Sequence, residues 1–189
     1  MFIQTEETPN PNTLKFIPGR PVFKQEYDGY PSSFNQGDDA SCSLLVFNLL
    51  AIENIESVFL GSDFITIGKT ENADWYVLKP FILGVIMQHF INDLPVIMTD
   101  SIAKKEDVAE PLDDISKKII DILNDRVRPA VAQDGGDIVF DSFINGVVSL
   151  KMRGACAGCP SSTATLKSGI ETMLRFYVPE VTEVVQSYD

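Results

Sequence analysis

Apolar residues alternate with polar ones over short runs and recur at helical spacing over longer ones, so the chain reads as strands interleaved with helices. Two extended pieces, 2–5 and 14–17, flank Thr8-Pro9-Asn10-Pro11-Asn12, a turn-rich stretch that no helix interior tolerates. Residues 27–40 read as a loop, and Ser41 suits the N-cap of a helix over 42–52. A strand pair follows at about 56–60 and 64–69, joined at Gly61-Ser62-Asp63. Within 73–92, Leu78, Phe81, Ile82, Val85, Ile86, His89 and Phe90 recur at helical spacing. Pro80 marks either the true start of that helix or a kink, and Pro95 lies just past its end.

Residues 99–112 are polar, charged and without a sustained pattern, which reads as an exposed, flexible linker. Beyond it, Ile115, Ile119, Ile122, Leu123 and Val127 share one face of a helix over about 113–127, which Arg128-Pro129 disrupts. Asp134-Gly135-Gly136-Asp137 then turns the chain into a strand at about 137–143. A second strand at 147–153 follows across Asn145-Gly146, a strong two-residue hairpin signal. In that strand Val148, Leu150 and Met152 alternate with Ser149, Lys151 and Arg153, so one face is buried and the other wet. A helix over 161–177 carries Leu166, Ile170, Met173, Leu174 and Tyr177 on one side, and a short strand at 181–186 follows Pro179. The fold class expected is α+β. Two small α/β domains, 1–98 and 113–189, each form a helix–hairpin–helix arrangement with a mostly antiparallel sheet, joined by the linker 99–112. There is no internal sequence repeat.

Composition adds exclusions. With 44% hydrophobic and 22% charged residues among 189, the chain is neither disordered nor membrane-embedded. Formal charge is −12, and residues 1–112 carry 16 acidic against 7 basic side chains. Nucleic acid and anionic membranes are therefore not expected partners, since both require a basic footprint. Three cysteines argue against a secreted disulfide framework. The first residues carry no basic region, apolar core or Arg-rich presequence. The longest apolar stretch, 44–52, is too short to span a bilayer and is broken by Asn48. A soluble chain in a reducing compartment is expected.

The candidate chemistry sits at Gly154-Ala155-Cys156-Ala157-Gly158-Cys159-Pro160. Two thiols two residues apart can reach one metal with little chain to order. Pro160 suits the first helical position, which places Cys159 near the N-cap, where backbone N–H groups favour a thiolate. Four readings compete. Tetrahedral zinc needs four ligands, and residues 113–189 hold two cysteines and no histidine, so a second chain would have to contribute. A thiol–disulfide oxidoreductase also places C-x-x-C at a helix N-terminus, but its usual context is βαβ. A 4Fe–4S cluster wants more thiolates than one chain offers, while two chains meeting at this loop supply four. Two small buried side chains in the core complete the set.

Cys156 and Cys159 with their neighbours through Ser162, preceded by Arg128-Pro129 and Asp134-Gly135-Gly136-Asp137, resemble the C-terminal domain of the NifU-like (Nfu) iron–sulfur proteins. The opening through Thr8-Pro9-Asn10-Pro11-Asn12-Thr13-Leu14-Lys15-Phe16, with Asp63-Phe64-Ile65-Thr66, resembles the N-terminal domain of the mitochondrial and alphaproteobacterial members. The resemblance implies a carrier, not an enzyme, that binds a 4Fe–4S cluster between two subunits through Cys156 and Cys159. It implies delivery to apo iron–sulfur proteins such as lipoyl synthase, aconitase and respiratory-chain subunits, with upstream assembly proteins as donors. It implies an N-terminal domain that recognises partners without ligating the cluster. The location expected is the bacterial cytoplasm, or the mitochondrial matrix for a processed organellar chain.

Other residues read more plainly. Cys42, His89 and Trp75 suit packing, with His89 a satisfied helix residue. Asp134 and Asp137 suit a turn and helix end rather than acid–base catalysis. Lys151 and Arg153 are strand residues that solvate their face or soften a thiolate cluster's charge.

Overall fold

The computed structural model describes residues 2–23, 32–98, 113–157 and 160–187, with the side chains of 160–163 left aside. The expected linker 99–112 and the first part of the 27–40 loop lie outside them. The chain divides into two compact units, Met1–Lys105 and Glu106–Asp189.

In the first unit, strands β1 (Gln4–Glu7), β2 (Thr13–Ile17), β3 (Ser32–Asn35), β4 (Ile55–Leu60) and β5 (Ile65–Lys69) form one antiparallel sheet in the order β1-β2-β5-β4-β3. Helices α1 (Leu44–Leu50) and α2 (Trp75–Ile91) contribute to the same core. Period-two alternation sends Leu14, Phe16, Val58, Ile65 and Ile67 into that core against Leu45, Leu49, Ile82 and Ile86. Each such side chain, fully removed from water, stabilises the unit by roughly 1.5–3 kcal/mol.

Three expectations need correction here. The helix over 42–52 begins at Leu44 and is capped by Ser43, not Ser41. Ser43 is fully buried, and its Oγ accepts from Val46 N–H at 3.2 Å while donating to Val96 O at 2.5 Å. Ser41 lies in the preceding turn, where its N–H donates to Asp39 Oδ1 at 2.9 Å. Pro80 does not mark the start of α2, which Asp74 caps by accepting Tyr76 N–H at 2.8 Å. Instead the helix runs through Pro80, which has no N–H to offer Tyr76 O. Residues 32–35, expected in a loop, form β3. As an edge strand β3 pairs on one side, with Phe34 opposite Val58, and its Ser-Ser-Phe-Asn sequence carries no period to reveal it.

The second unit opens with α3 (Asp114–Ile122), capped by Asp113. The chain stays helical past Val127, contrary to the break expected at Arg128-Pro129. Residues 123–127 form one π turn, in which Arg128 N–H bonds Leu123 O, and α4 (Arg128–Gln133) follows. The wider turn absorbs the missing N–H and bulky ring of Pro129, whose place at the start of α4 leaves no bond to break. Next come β6 (Gly136–Ile144) and β7 (Val147–Gly154), an antiparallel hairpin turning at Asn145 and Gly146. Their φ values of 51° and 86° require residues that tolerate left-handed backbone. Helix α5 (Pro160–Tyr177) leads to β8 (Glu183–Ser187), which pairs parallel to β7, giving the order β6-β7-β8. Ile119, Leu123, Val127, Val131, Ile138, Leu150, Ile170, Leu174 and Val184 fill the core. Among the described residues no helix is long and apolar enough to cross a membrane.

His89 is buried, and its Nε2 has no hydrogen-bond partner, so it is not the satisfied residue expected. Burial pushes its pKa down, against a smaller opposing effect of a hydrogen bond with the Leu94 backbone. The fold thus favours the neutral ring, whereas the unfolded chain takes up a proton near pH ~6.5. Stability of the first unit should be fully present above that pH and decline as pH falls below it. Thermal unfolding at pH 7 and pH 5 checks this: the wild-type loss between the two should shrink in His89→Gln. Ser43→Ala should cost about 2 kcal/mol in urea unfolding, since the cap goes and Val96 O loses its donor.

Candidate functional site

Strand β7 delivers the chain at Gly154 into the cysteine loop, and Pro160 is the first residue of α5, as the spacing predicts. The loop is tied back to the turn before β6 by Ala155 N–H, which donates to Gly135 O at 3.1 Å, and is closed on itself by Ala157 N–H donating to Gly154 O at 3.0 Å. Gly136 stands opposite Gly154 in the β6–β7 register. A Cβ at 136 would collide with Cys156 Sγ and lie 3.0 Å from both Arg153 O and Cys156 N. Glycine is therefore required there for the loop to close against the strand.

Cys156 is buried and belongs to the apolar cluster that includes Val131, Ile138 and Ile170. Its thiol is pushed up to about 12, first by burial and then by the carboxylates of Asp134 and Asp137. That sulfur is a protonated thiol at neutral pH. Metal coordination reverses this preference, because a bound cation deprotonates a coordinating thiol outright. Gly158 and Cys159 lie outside the described residues, so the position of the second thiol is left aside. The absent side chain at 136 and two thiols two residues apart fit a soft-metal ligand.

Beside the loop, Asp137 is held by a two-pronged ion pair. Arg128 Nε reaches Oδ1 at 2.8 Å and Nη2 reaches Oδ2 at 3.1 Å, while Nη1 donates to Asn124 Oδ1 at 3.0 Å. The Asp137 side chain is almost fully buried and that of Arg128 partly so. The clamp links the π turn and α4 to the start of strand β6. Asp134, the C-cap residue of α4, ends the helix as expected. Asp137 does more than turn the chain: it is the anion that anchors Arg128. Sequence reasoning missed this pair and the Gly136–Cys156 contact. The available signal was an Arg at a helix start and an Asp at a strand start, nine residues apart across a Gly-Gly turn.

The remaining candidates scatter. Lys151 Nζ lies 3.8 Å from Asp141, and Arg153 stands opposite Asp137 in the strand register. Cys42 precedes α1, and its carbonyl accepts from Met98 N–H at 2.8 Å. Trp75 Nε1 donates to Pro11 O at 3.1 Å, consistent with a packing role. Among the described residues no three His, Cys, Asp or Glu side chains gather into a metal-sized group.

Removing one partner of a mostly buried pair leaves the other charge without compensation. Arg128→Ala should therefore destabilise the second unit by roughly 3 kcal/mol, and Arg128→Lys should recover part of the loss, lacking the fork. Urea unfolding followed by backbone circular dichroism checks both.

Comparison with known proteins completes the description. Residues 3–93 match the family model described as "Scaffold protein Nfu/NifU N terminal", and residues 119–185 match the "NifU-like domain". The chain is similar over its whole length to proteins named "NFU1 iron-sulfur cluster scaffold homolog, mitochondrial". It is 46% identical to that of Drosophila persimilis and 47% identical to that of Drosophila willistoni, over 189 residues each. It spans 66% and 64% of their lengths. A solved NifU-like protein from Saccharomyces cerevisiae aligns with 27% identity and a TM-score of 0.47, over 52% of this chain and 86% of that one. With an Nfu N-terminal domain followed by a NifU-like domain, the chain belongs to the Nfu family of NifU-like proteins.

Proposed function

We propose that this protein is a non-enzymatic iron–sulfur carrier that takes a 4Fe–4S cluster as cargo and passes it to apo iron–sulfur proteins. Cys156 and Cys159 from each of two subunits are the ligands, so the cluster itself bridges a homodimer. The observation that carries this reading is the seating of Cys156: a soft donor, with a neighbouring residue reduced to glycine where a side chain would strike the sulfur. The relatives' printed names support the cargo. A cube needs four thiolates and one C-x-x-C supplies two, which is why a second subunit is required.

In this reading, loading starts at Cys156. Cys156 Sγ must leave the apolar cluster and give up its proton before it can ligate. The Ala155 N–H bond to Gly135 O ties the loop to the turn before β6 and must be kept or broken as the sulfur turns outward. A carrier with two ligands per chain on such a loop releases its cargo by subunit separation or by stepwise exchange with a recipient's cysteines. Recipients of the lipoyl synthase, aconitase and respiratory-chain class, and assembly proteins as donors, follow from family membership. Residues 1–98 serve partner recognition in this reading and 113–189 carry the cluster. The relatives' names support a mitochondrial location over a bacterial cytoplasmic one. The oxidoreductase is the second reading. Contrary to the sequence expectation, β7, α5 and the parallel β8 form a βαβ unit with the C-x-x-C at its strand-to-helix junction. Disulfide reduction catalysed by the colourless protein would favour it.

Anaerobic reconstitution of the full chain with iron and sulfide should give broad visible absorption and about four irons per dimer, as the cubane stoichiometry demands. Both should be lost in Cys156→Ser and in Cys159→Ser. A monomeric variant that retained a full cube, or stoichiometric zinc in the protein as purified, would overturn the reading.

A further inference from the structure

Helix α2 has one charged residue, Lys79, in 17 and is apolar on every side. A helix of that composition is normally buried all round. Here Leu78, Ile82, Ile86 and Phe90 reach the core, while Val77, Phe81, Gly84, Gln88 and Ile91 are exposed along the other side. Their spacing, four and three residues in alternation, traces a straight stripe roughly 21 Å long at 1.5 Å per residue. Val77 is 58%, Phe81 61% and Ile91 64% exposed, and Tyr76, at 87%, flanks the stripe beside Pro80. Such a heptad-like stripe is the surface a second helix packs along.

We propose that this stripe is the docking site for an amphipathic helix of a partner protein, one with Lys or Arg flanking its apolar face. Charge selects that occupant over a second copy, which would bring the same acidic surface to the stripe. Residues 1–112 carry a net charge of −9, and the exposed carboxylates of Glu71 and Asp74 stand at the N-terminal end of the stripe, so basic flanks are attracted. The surface lies in the unit without the C-x-x-C pair, and its proposal does not rest on the cluster chemistry.

The probe is a synthetic 18-residue Leu/Lys heptad peptide, free of tryptophan and capped at both ends. It carries fluorescein as its N-terminal cap, and binding is read by fluorescence anisotropy as the full chain is titrated in. Saturable one-to-one binding is expected, weakened at least tenfold by Phe81→Asp and by Ile91→Asp, and reduced by high salt. Cys156→Ser, and Ile144→Asp at an exposed site in the other unit, should leave it unchanged. Because the stripe is solvent-facing, both test variants should keep wild-type circular dichroism. Phe81→Ser and Ile91→Ser, with a smaller loss expected, serve if they do not. Equal binding of a scrambled peptide, of a Leu/Glu peptide, or by the stripe variants would overturn the proposal. So would concentration-dependent self-association of the wild type that Phe81→Asp abolishes, since the occupant would then be a second copy.

Discussion

No side chain fits at position 136, and the cysteine loop depends on that. Strand β6 starts with a glycine because the backbone of residues 153–156 crosses directly over it, with Cys156 Sγ filling the space a Cβ would take. This contact joins two parts of the chain twenty residues apart, the turn after α4 and the loop after β7. Everything that fixes the turn consequently fixes the sulfur. The Arg128–Asp137 fork does so from one side, and the Gly136–Gly154 register does so from the other. Neither residue of the ion pair is a sulfur donor, yet both help to set the loop's place against β6.

The same economy governs the helical segment before the turn. A straight α-helix from 114 to 133 would demand an N–H at position 129, where proline has none. One π turn shifts the hydrogen-bond register by a residue, and α4 starts afresh with proline where its missing donor is harmless. Arg128 is the last π-bonded donor and the first residue of α4, and from there its guanidinium reaches Asp137. Local strain relief and the ion pair are thus two aspects of one arrangement.

Elements with a strong period were legible in the sequence. The Asn145-Gly146 hairpin and helix α5 follow directly from alternation, helical spacing and the residues at their ends. Helix α2, apolar on every side, was legible as a helix but not in the face it buries, since Phe81 is exposed. What escaped was whatever depends on distant partners. Strand β3 exists because β4 offers it an edge, not because Ser-Ser-Phe-Asn favours extension. Ser43 outcompetes Ser41 as a cap because Val96 O, fifty-three residues away, accepts its hydroxyl proton. At the candidate site the paired cysteines were evident from spacing, and Pro160 fixed where the helix begins. The burial of Cys156 was not, since it comes from the convergence of α4, β6 and α5 on one sulfur. The resemblance carried by Asp134-Gly135-Gly136-Asp137 did not disclose that one glycine faces the thiol and one aspartate holds an arginine.

The parallel pairing of β8 with β7 sets an order of events for the nascent chain. The β6–β7 hairpin closes across two residues and forms on a microsecond scale, whereas β8 must return over the whole of residues 155–182 before its first pair can form. The thiol segment lies inside that slow crossover. Cys156 meets Gly136 once the hairpin closes, but the cover contributed by Ile170, Leu174 and Val184 arrives only when α5 and β8 dock. Until then the thiol is less shielded from oxidants and adventitious metal than in the finished fold.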